Sequence, residues 1–421
     1  MPIESVFAPS NILLPACADM SKWATIACDQ FSSEPEYWER VKNYVGDCPS
    51  TLNMIIPEAW LDSSDTHKAS DEINAAMVKY LGNSLFKDVE NSYVFTQREL
   101  PGGKNRLGLV GVIDLDSYEY TPGSCAYVRA SERTVVDRLP PRIYAREHAE
   151  LELPHVMVLI DDPDMSVIEP LTEKIDKMER LYDFDLMEGG GRISGYRVTE
   201  EYHDDIRQCL EKLSNPDLNF KKYGAGTNPV LMIVGDGNHS LAAAKICWEE
   251  VKKGLNATRM ENHPARFALV ELCNIHDTSL EIEPIHRVVF TSNIQKLIEE
   301  FTIMADEHKG KGETYEAEYV YDGNNGKFLI NSLNISEFID VVQTFIDKYA
   351  ERESCHVDYI HGSDTLERLI SGGGALGLYM PAISKGDLFK SVAQGRVFPK
   401  KSFSMGHARD KRYYLEARRI K

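Results

Sequence analysis

The segment Val230-Leu-Met-Ile-Val-Gly-Asp-Gly-Asn-His-Ser-Leu-Ala-Ala-Ala-Lys245 constrains the fold of this chain more than any other. Five apolar residues, Val230 to Val234, read as a short buried strand, and Leu241, Ala244, Trp248 and Val251 recur at helical spacing. A strand passing through Gly235 and Gly237 into a helix that starts near His239 is a βα unit, which implies an α/β or mixed α+β protein. The first amides of such a helix lack intrahelical acceptors, and the helix dipole is positive there. A phosphate or carboxylate is therefore favoured at that point. Asp236, Asn238, His239 and Ser240 place four polar side chains beside it. The same residues also suit a plain turn with Asn238 capping the helix. The pattern matches neither a Walker loop nor a dinucleotide fingerprint.

The rest of the chain supports mixed sheets with flanking helices. Helical spacing covers Glu36 to Val45, Ala69 to Leu81, Pro141 to Glu150, Thr172 to Tyr182 and Thr199 to Leu213. Extended patterns cover Thr51 to Ile56, Ser92 to Arg98, Arg106 to Asp114, Leu153 to Ile160 and Arg266 to Cys273, with a hairpin turn at Pro101-Gly102-Gly103. After Val289 a hairpin turned by Asp322-Gly323-Asn324-Asn325-Gly326 lies among further helices. Asn, Gly and Pro collect between Pro216 and Pro229, which divides the chain into an N-terminal α/β region, 1–228, and a region 229–421 carrying the glycine turn.

The 421 residues carry a formal net charge of −19, which argues against general binding of nucleic acid or anionic membrane. The charge is uneven: from Arg396 to Lys421 nine Lys or Arg face only Asp410 and Glu416. Such a basic tail either docks on acidic surface of its own chain or closes over an anionic ligand. Eight scattered cysteines without a C-x-x-C pair, and no leader pattern, suggest a reducing cytoplasm. No apolar run approaches the roughly 18 residues of a membrane span.

Other clusters have two readings each. Arg129 to Thr134 sets Arg129 and Glu132 just after a strand, where surface ion pairs are the simpler explanation. Glu283-Pro-Ile-His-Arg287 reads as a polar loop between strands, presenting His286 and Arg287. Lys400-Lys401-Ser402 alternates charge with small polar groups in a way that suits a phosphate tail or a solvated face. Asp29 precedes a helix, where it serves as a general base or as a cap. The twelve histidines form no H-E-x-x-H site, and no G-x-S-x-G hydrolase signature is present. A divalent ion arriving with a nucleotide needs only one or two carboxylates, and Asp236 is the candidate.

Gly235-Asp-Gly-Asn-His-Ser240, Glu283-Pro-Ile-His-Arg287, Asp358-Tyr-Ile-His-Gly362 and Phe398-Pro-Lys-Lys-Ser402 occur in an order that resembles the domain of unknown function 1015 family over nearly the whole chain. In that family the glycine turn usually reads Asp-Gly-His-His-Arg, so Asn238 and Ser240 are departures, as is Ser131 ahead of Glu132. The turn in turn is similar to the phosphate-binding element of the ParB/sulfiredoxin-like superfamily, which includes free-serine kinases. The resemblance implies that Gly237, Asn238, His239 and Ser240 hold nucleotide phosphates; Arg129, His286, Arg287 and Lys401, from the clusters above, are the further candidate binding residues. The leading expectation is then ATP or ADP with Mg²⁺ as cofactor and Asp236 as its ligand, with a catalytic set in which His239 stabilises the transferring phosphoryl group and Asp29 or Glu132 takes the hydroxyl proton. Two functions follow: a small-molecule kinase acting on a hydroxyl metabolite such as serine, or a non-catalytic nucleotide- or metabolite-sensing module.

Overall fold

The computed structural model describes residues 6–16, 18–63, 65–224, 229–310 and 312–421. The chain forms a mixed α/β protein that divides into two compact units. The first comprises Met1–Ala130, Thr134–Leu280 and His407–Lys421; the second comprises Ser131–Arg133 and Glu281–Gly406. The boundary expected at residue 228 falls on 225–228, which lie outside the described residues.

The first unit is built on a long mixed sheet. Its strands lie side by side in the order Arg180–Asp185, Arg192–Val198, Phe86–Glu99, Asn105–Asp114, Phe267–Asn274, Met157–Ile160, Met232–Asp236, Val128–Ala130 and Tyr118–Glu119. The left of this row is antiparallel, joined by the tight turn after Glu99. The right is mixed: Met232–Asp236 runs parallel to Val128–Ala130 and antiparallel to Met157–Ile160.

Successive strand residues point to opposite faces, so one strand feeds two cores. Val94, Val110 and Leu269 join Trp23, Trp38 and Tyr414 on one side. Phe95, Leu109 and Val270 join Leu241, Ala244 and Trp248 on the other. Each large side chain buried in this way contributes about 1.5–3 kcal/mol. Helix Asn238–Lys252 thus sits on the sheet through the face its spacing announced, although Val251 remains exposed.

The C-terminal segment completes this unit. Tyr413–Tyr414 pairs with Thr25–Ile26, Arg418–Arg419 pairs with Leu151–Glu152, and Leu13 bridges Ala417. The basic tail therefore docks on its own chain.

The second unit carries a sheet ordered Asn324–Ser332, Glu313–Tyr321, Ala375–Tyr379, Ile282–Phe290 and His356–His361, with Phe403–Met405 on the start of Ile282–Phe290. Its hairpin turns on two residues, Asp322 and Gly323, both with positive φ, and Asn324 to Gly326 already pair across the ladder. Val288, Ile360, Leu366, Ile370 and Ala375 form a core of this unit.

Three expected elements differ. Thr51–Met54 is a 3₁₀ turn, its start capped by Ser50 accepting from the Leu52 amide, where an extended segment was expected. Thr172 to Tyr182 divides into a 3₁₀ helix, Glu169–Lys177, and the edge strand Arg180–Asp185. Glu283 to Arg287 is the first half of strand Ile282–Phe290, because Pro284 lies opposite Phe403 at the short, marginal end of the ladder where a missing N–H is tolerated.

A helix front beside an apolar cavity

Strand Met232–Asp236 enters the turn at Gly237, whose φ of 81° lies in the left-handed region. A residue with a Cβ would be strained there by about 1–2 kcal/mol, and its Cβ would lie 3.0 Å from the Cα of Val156. Helix Asn238–Lys252 begins directly afterwards, with Gly237 as its cap and, among the described residues, no side-chain cap hydrogen bond. Asn238 is thus the first helical residue and does not cap; its Oδ1 is buried with no partner among the described residues.

The polar groups around this front are already organised. Asp236 Oδ1 accepts from the Gly237 amide at 2.9 Å, and Oδ2 meets Lys411 Nζ at 3.1 Å. The His239 ring accepts at Nε2 from the Val135 amide at 3.1 Å. Burial first, then the Arg142 and Arg138 cations, push its pKa down to about 4 against the pull of Asp29. His239 is therefore a neutral imidazole near pH 7.

Asp29 belongs to the same group. Burial raises its pKa, but His155, the Gln30 amide at 3.0 Å and Lys411 together hold it below the usual carboxylate range. Next to it, His155 is buried, with Nδ1 2.9 Å from the Tyr414 hydroxyl and Nε2 3.4 Å from Ser240 Oγ. Tyr414 donates to Cys28 Sγ at 3.1 Å, and burial pushes the Cys28 thiol up to about 12.

Ser240, His155, Cys28 and Tyr414 also line one end of a cavity of about 200 Å³ in this unit. The remaining wall is mainly apolar, including Ile56, Ile73, Met77 and Leu269. Its charged residues are paired with one another: Arg142 with Glu58, and Arg146 with Glu152 at 2.7 Å.

Arg129 belongs to the first unit too, but it has a structural part. It is buried and donates to the carbonyls of Ala126 at 2.7 Å and Pro229 at 2.8 Å, tying the start of one strand to the entry of the next.

The other expected site residues lie in the second unit. Glu132 accepts from the Ser402 amide at 3.1 Å and bridges Phe398. Arg287 is fully buried, donates to Gln343 at 3.1 Å and stacks over the Tyr359 ring, as Lys401 does at 5.1 Å. Burial brings Arg287 down to about 10 despite Tyr359 and Glu132. His286 Nδ1 accepts from the Met380 amide at 3.1 Å, and burial followed by Arg287 and His361 lowers it to about 4.

The structure brings Asp29 near the glycine turn, together with His155, Tyr414 and Lys411, which the sequence did not single out. A lone histidine after Pro154 carries no motif, and Lys411 and Tyr414 were hidden in a segment read only by its charge. Among the described residues no group of three or more His, Cys, Asp or Glu is placed to hold a metal ion. Nor is any helix among them long and apolar enough to cross a membrane.

The fold and site define a mixed α/β protein with an uncapped helix front beside a ligand-sized cavity. The chain belongs to the family described as Protein of unknown function (DUF1015), which it matches over residues 11–371. No curated relative matches it. Solved structures similar to it include a conserved hypothetical protein from Pyrococcus furiosus, at 12% identity and a TM-score of 0.36, covering 74% of this chain and 94% of that one. A free serine kinase in complex with AMP is similar at 10% identity and a TM-score of 0.39, covering 73% and 91%. SbnI with a C-terminal truncation, from Staphylococcus aureus, is similar at 10% identity and a TM-score of 0.36, covering 70% and 82%.

Proposed function

We propose that this chain is a cytoplasmic, nucleotide-dependent phosphotransferase that acts on a small hydroxyl metabolite. The observation that carries the reading is the uncapped front of helix Asn238–Lys252 opening at a left-handed glycine. There the amides of Asn238, His239 and Ser240 receive the phosphates of ATP or ADP. Phosphoryl transfer depends chiefly on positioning and charge stabilisation, so a small set of groups suffices.

The residues fit a nucleotide phosphate better than a metal ion of their own. Both Asp236 oxygens are engaged, by the Gly237 amide and Lys411, so Asp236 would hold a nucleotide-borne Mg²⁺ only in place of Lys411, and the ion would supply charge neutralisation at the phosphates. Lys411 lies beside the helix front as a cation for the phosphate. Neutral His239 keeps the Val135 loop in place and offers no positive charge of its own. The ionised Asp29 is the negative charge that favours removal of the acceptor proton; Glu132, the other carboxylate expected for this step, lies in the second unit and is committed there to the Ser402 amide. His286, Arg287 and Lys401, the further binding residues expected from the sequence, belong to the second unit.

Sensing without turnover is the second reading, and the prior engagement of Asp236 and His239 favours it. Purified protein with Mg²⁺, ATP or ADP and a panel of alcohols including serine separates the two. For the enzyme, Asp29→Asn keeps nucleotide affinity and lowers turnover by at least about 10²-fold, the usual worth of a positioned base. Nucleotide binding without product from any acceptor supports the sensor, and absence of nucleotide binding removes the enzyme and the nucleotide sensor alike.

A further inference from the structure

The cavity beside the helix front has a chemistry that serine does not match. Its volume, about 200 Å³, exceeds the roughly 150 Å³ of an apolar cavity that holds benzene. Its body is aliphatic, from Ile56, Ile73, Met77, Leu153, Ala243 and Leu269. Arg142 and Arg146 reach its wall already paired with Glu58 and Glu152, and Glu152 is paired again with Arg418 at 2.6 Å. No spare charge is left on these residues for the ammonium and carboxylate of an amino acid, whose transfer into apolar surroundings is costly without partners.

The polar end is different. Tyr414 donates its proton to Cys28 Sγ, so its oxygen is left to accept, from the Cys28 amide at 3.4 Å and from His155 Nδ1 at 2.9 Å. In the tautomer with its proton on Nδ1, His155 presents the lone pair of Nε2 toward Ser240 Oγ, 3.4 Å away, where Ser240 also lines the cavity. A longer contact of this kind is readily exchanged for a ligand hydroxyl.

We propose that this cavity is the acceptor site of the phosphotransferase reading on which the inference rests, and that it takes a small alcohol with an apolar, ring-sized body rather than serine. The hydroxyl lies at His155 Nε2. Its O–H bond breaks as its oxygen bonds to the terminal phosphorus of a nucleoside di- or triphosphate and the P–O anhydride bond opens. The proton passes to His155 Nε2, and the negative charge of Asp29 stabilises the imidazolium. The nucleotide leaves with one phosphate fewer.

Benzyl alcohol is the probe, titrated into the full chain by ligand-observed NMR with L-serine as comparator. The expected result is benzyl alcohol binding at least tenfold more tightly than L-serine. Ala145→Leu, which extends a side chain into the cavity, weakens benzyl alcohol at least tenfold while the thermal shift given by ADP stays that of the unsubstituted chain. Should Ala145→Leu misfold, Met77→Ala enlarges the same cavity and admits 2-naphthylmethanol, which the unsubstituted chain rejects. Serine binding as well as benzyl alcohol, or binding indifferent to both substitutions, overturns the proposal. Loss of the nucleotide reading is seen separately, as absence of an ADP shift, and leaves the alcohol series readable.

Discussion

His239 shows how a single side chain at the helix front is set by its surroundings. Its folded pKa of about 4 lies below the ordinary imidazole value because burial and the Arg142 and Arg138 cations disfavour the proton. The unfolded chain therefore binds that proton first as pH falls, and stability drops between about pH 6.5 and 4. His286, also lowered to about 4, adds to the same slope. Carboxylates act in another window: Glu271, brought down to about 2, and Asp29 contribute stability that is present above the carboxylate range and lost below it. Urea unfolding from pH 7 to 4.5 should show the loss, and His239→Gln, which keeps an acceptor for the Val135 amide, should flatten it. A slope unchanged by the substitution would mean that the ring is charged in the folded chain.

The C-terminal strap is the element on which the site most depends. Arg412 is buried, 2.8 Å from Glu271 and 2.5 Å from Glu416, and Glu271 also accepts from Thr96 at 2.8 Å. Arg98 adds bonds to the carbonyls of Arg409, Asp410 and Lys411. These fix the short strand that carries Tyr414 to His155. Removing one partner of a buried pair strands the other charge, so Arg412→Met should cost about 3–5 kcal/mol in denaturant unfolding. Combining it with Glu271→Gln should recover much of that loss, and a merely additive double variant would contradict the pairing.

The same element shows what could be read from the chain in advance. Leu241, Ala244 and Trp248 announced their buried face because helical spacing is a local property, and the strand before Gly235 did so for the same reason. Thr51–Met54 and Arg180–Asp185 were misjudged because a serine cap and an edge pairing decided them, and neither is visible in periodicity. The tail was legible as cationic but not as a strap, since its partners Glu152 and Glu271 lie more than a hundred residues away in sequence. His155 joined the site by the same kind of long-range pairing.

At the scale of the whole molecule, three of the tail's cations are spent on buried or half-buried carboxylates of the first unit: Lys411 on Asp236, Arg412 on Glu271 and Arg418 on Glu152. The same consumption makes the first unit discontinuous. Leu280 ends its second segment, yet the unit is completed only by His407–Lys421. Between them the second unit's main segment leaves and returns at neighbouring residues, since the Gly406 amide donates to the Glu281 carbonyl at 3.0 Å. An insertion closed at its base in this way adds little loop entropy, because the cost grows only as the logarithm of length. A chain ending at Leu280 should therefore fail to unfold cooperatively: it keeps Glu271 buried without Arg412, and the Thr25–Ile26 strand without Tyr413–Tyr414. Joining Leu280 to His407 through a short glycine linker should restore one cooperative urea transition followed by circular dichroism. Cooperative unfolding of the shorter chain would mean that the strap decorates the first unit and does not complete it.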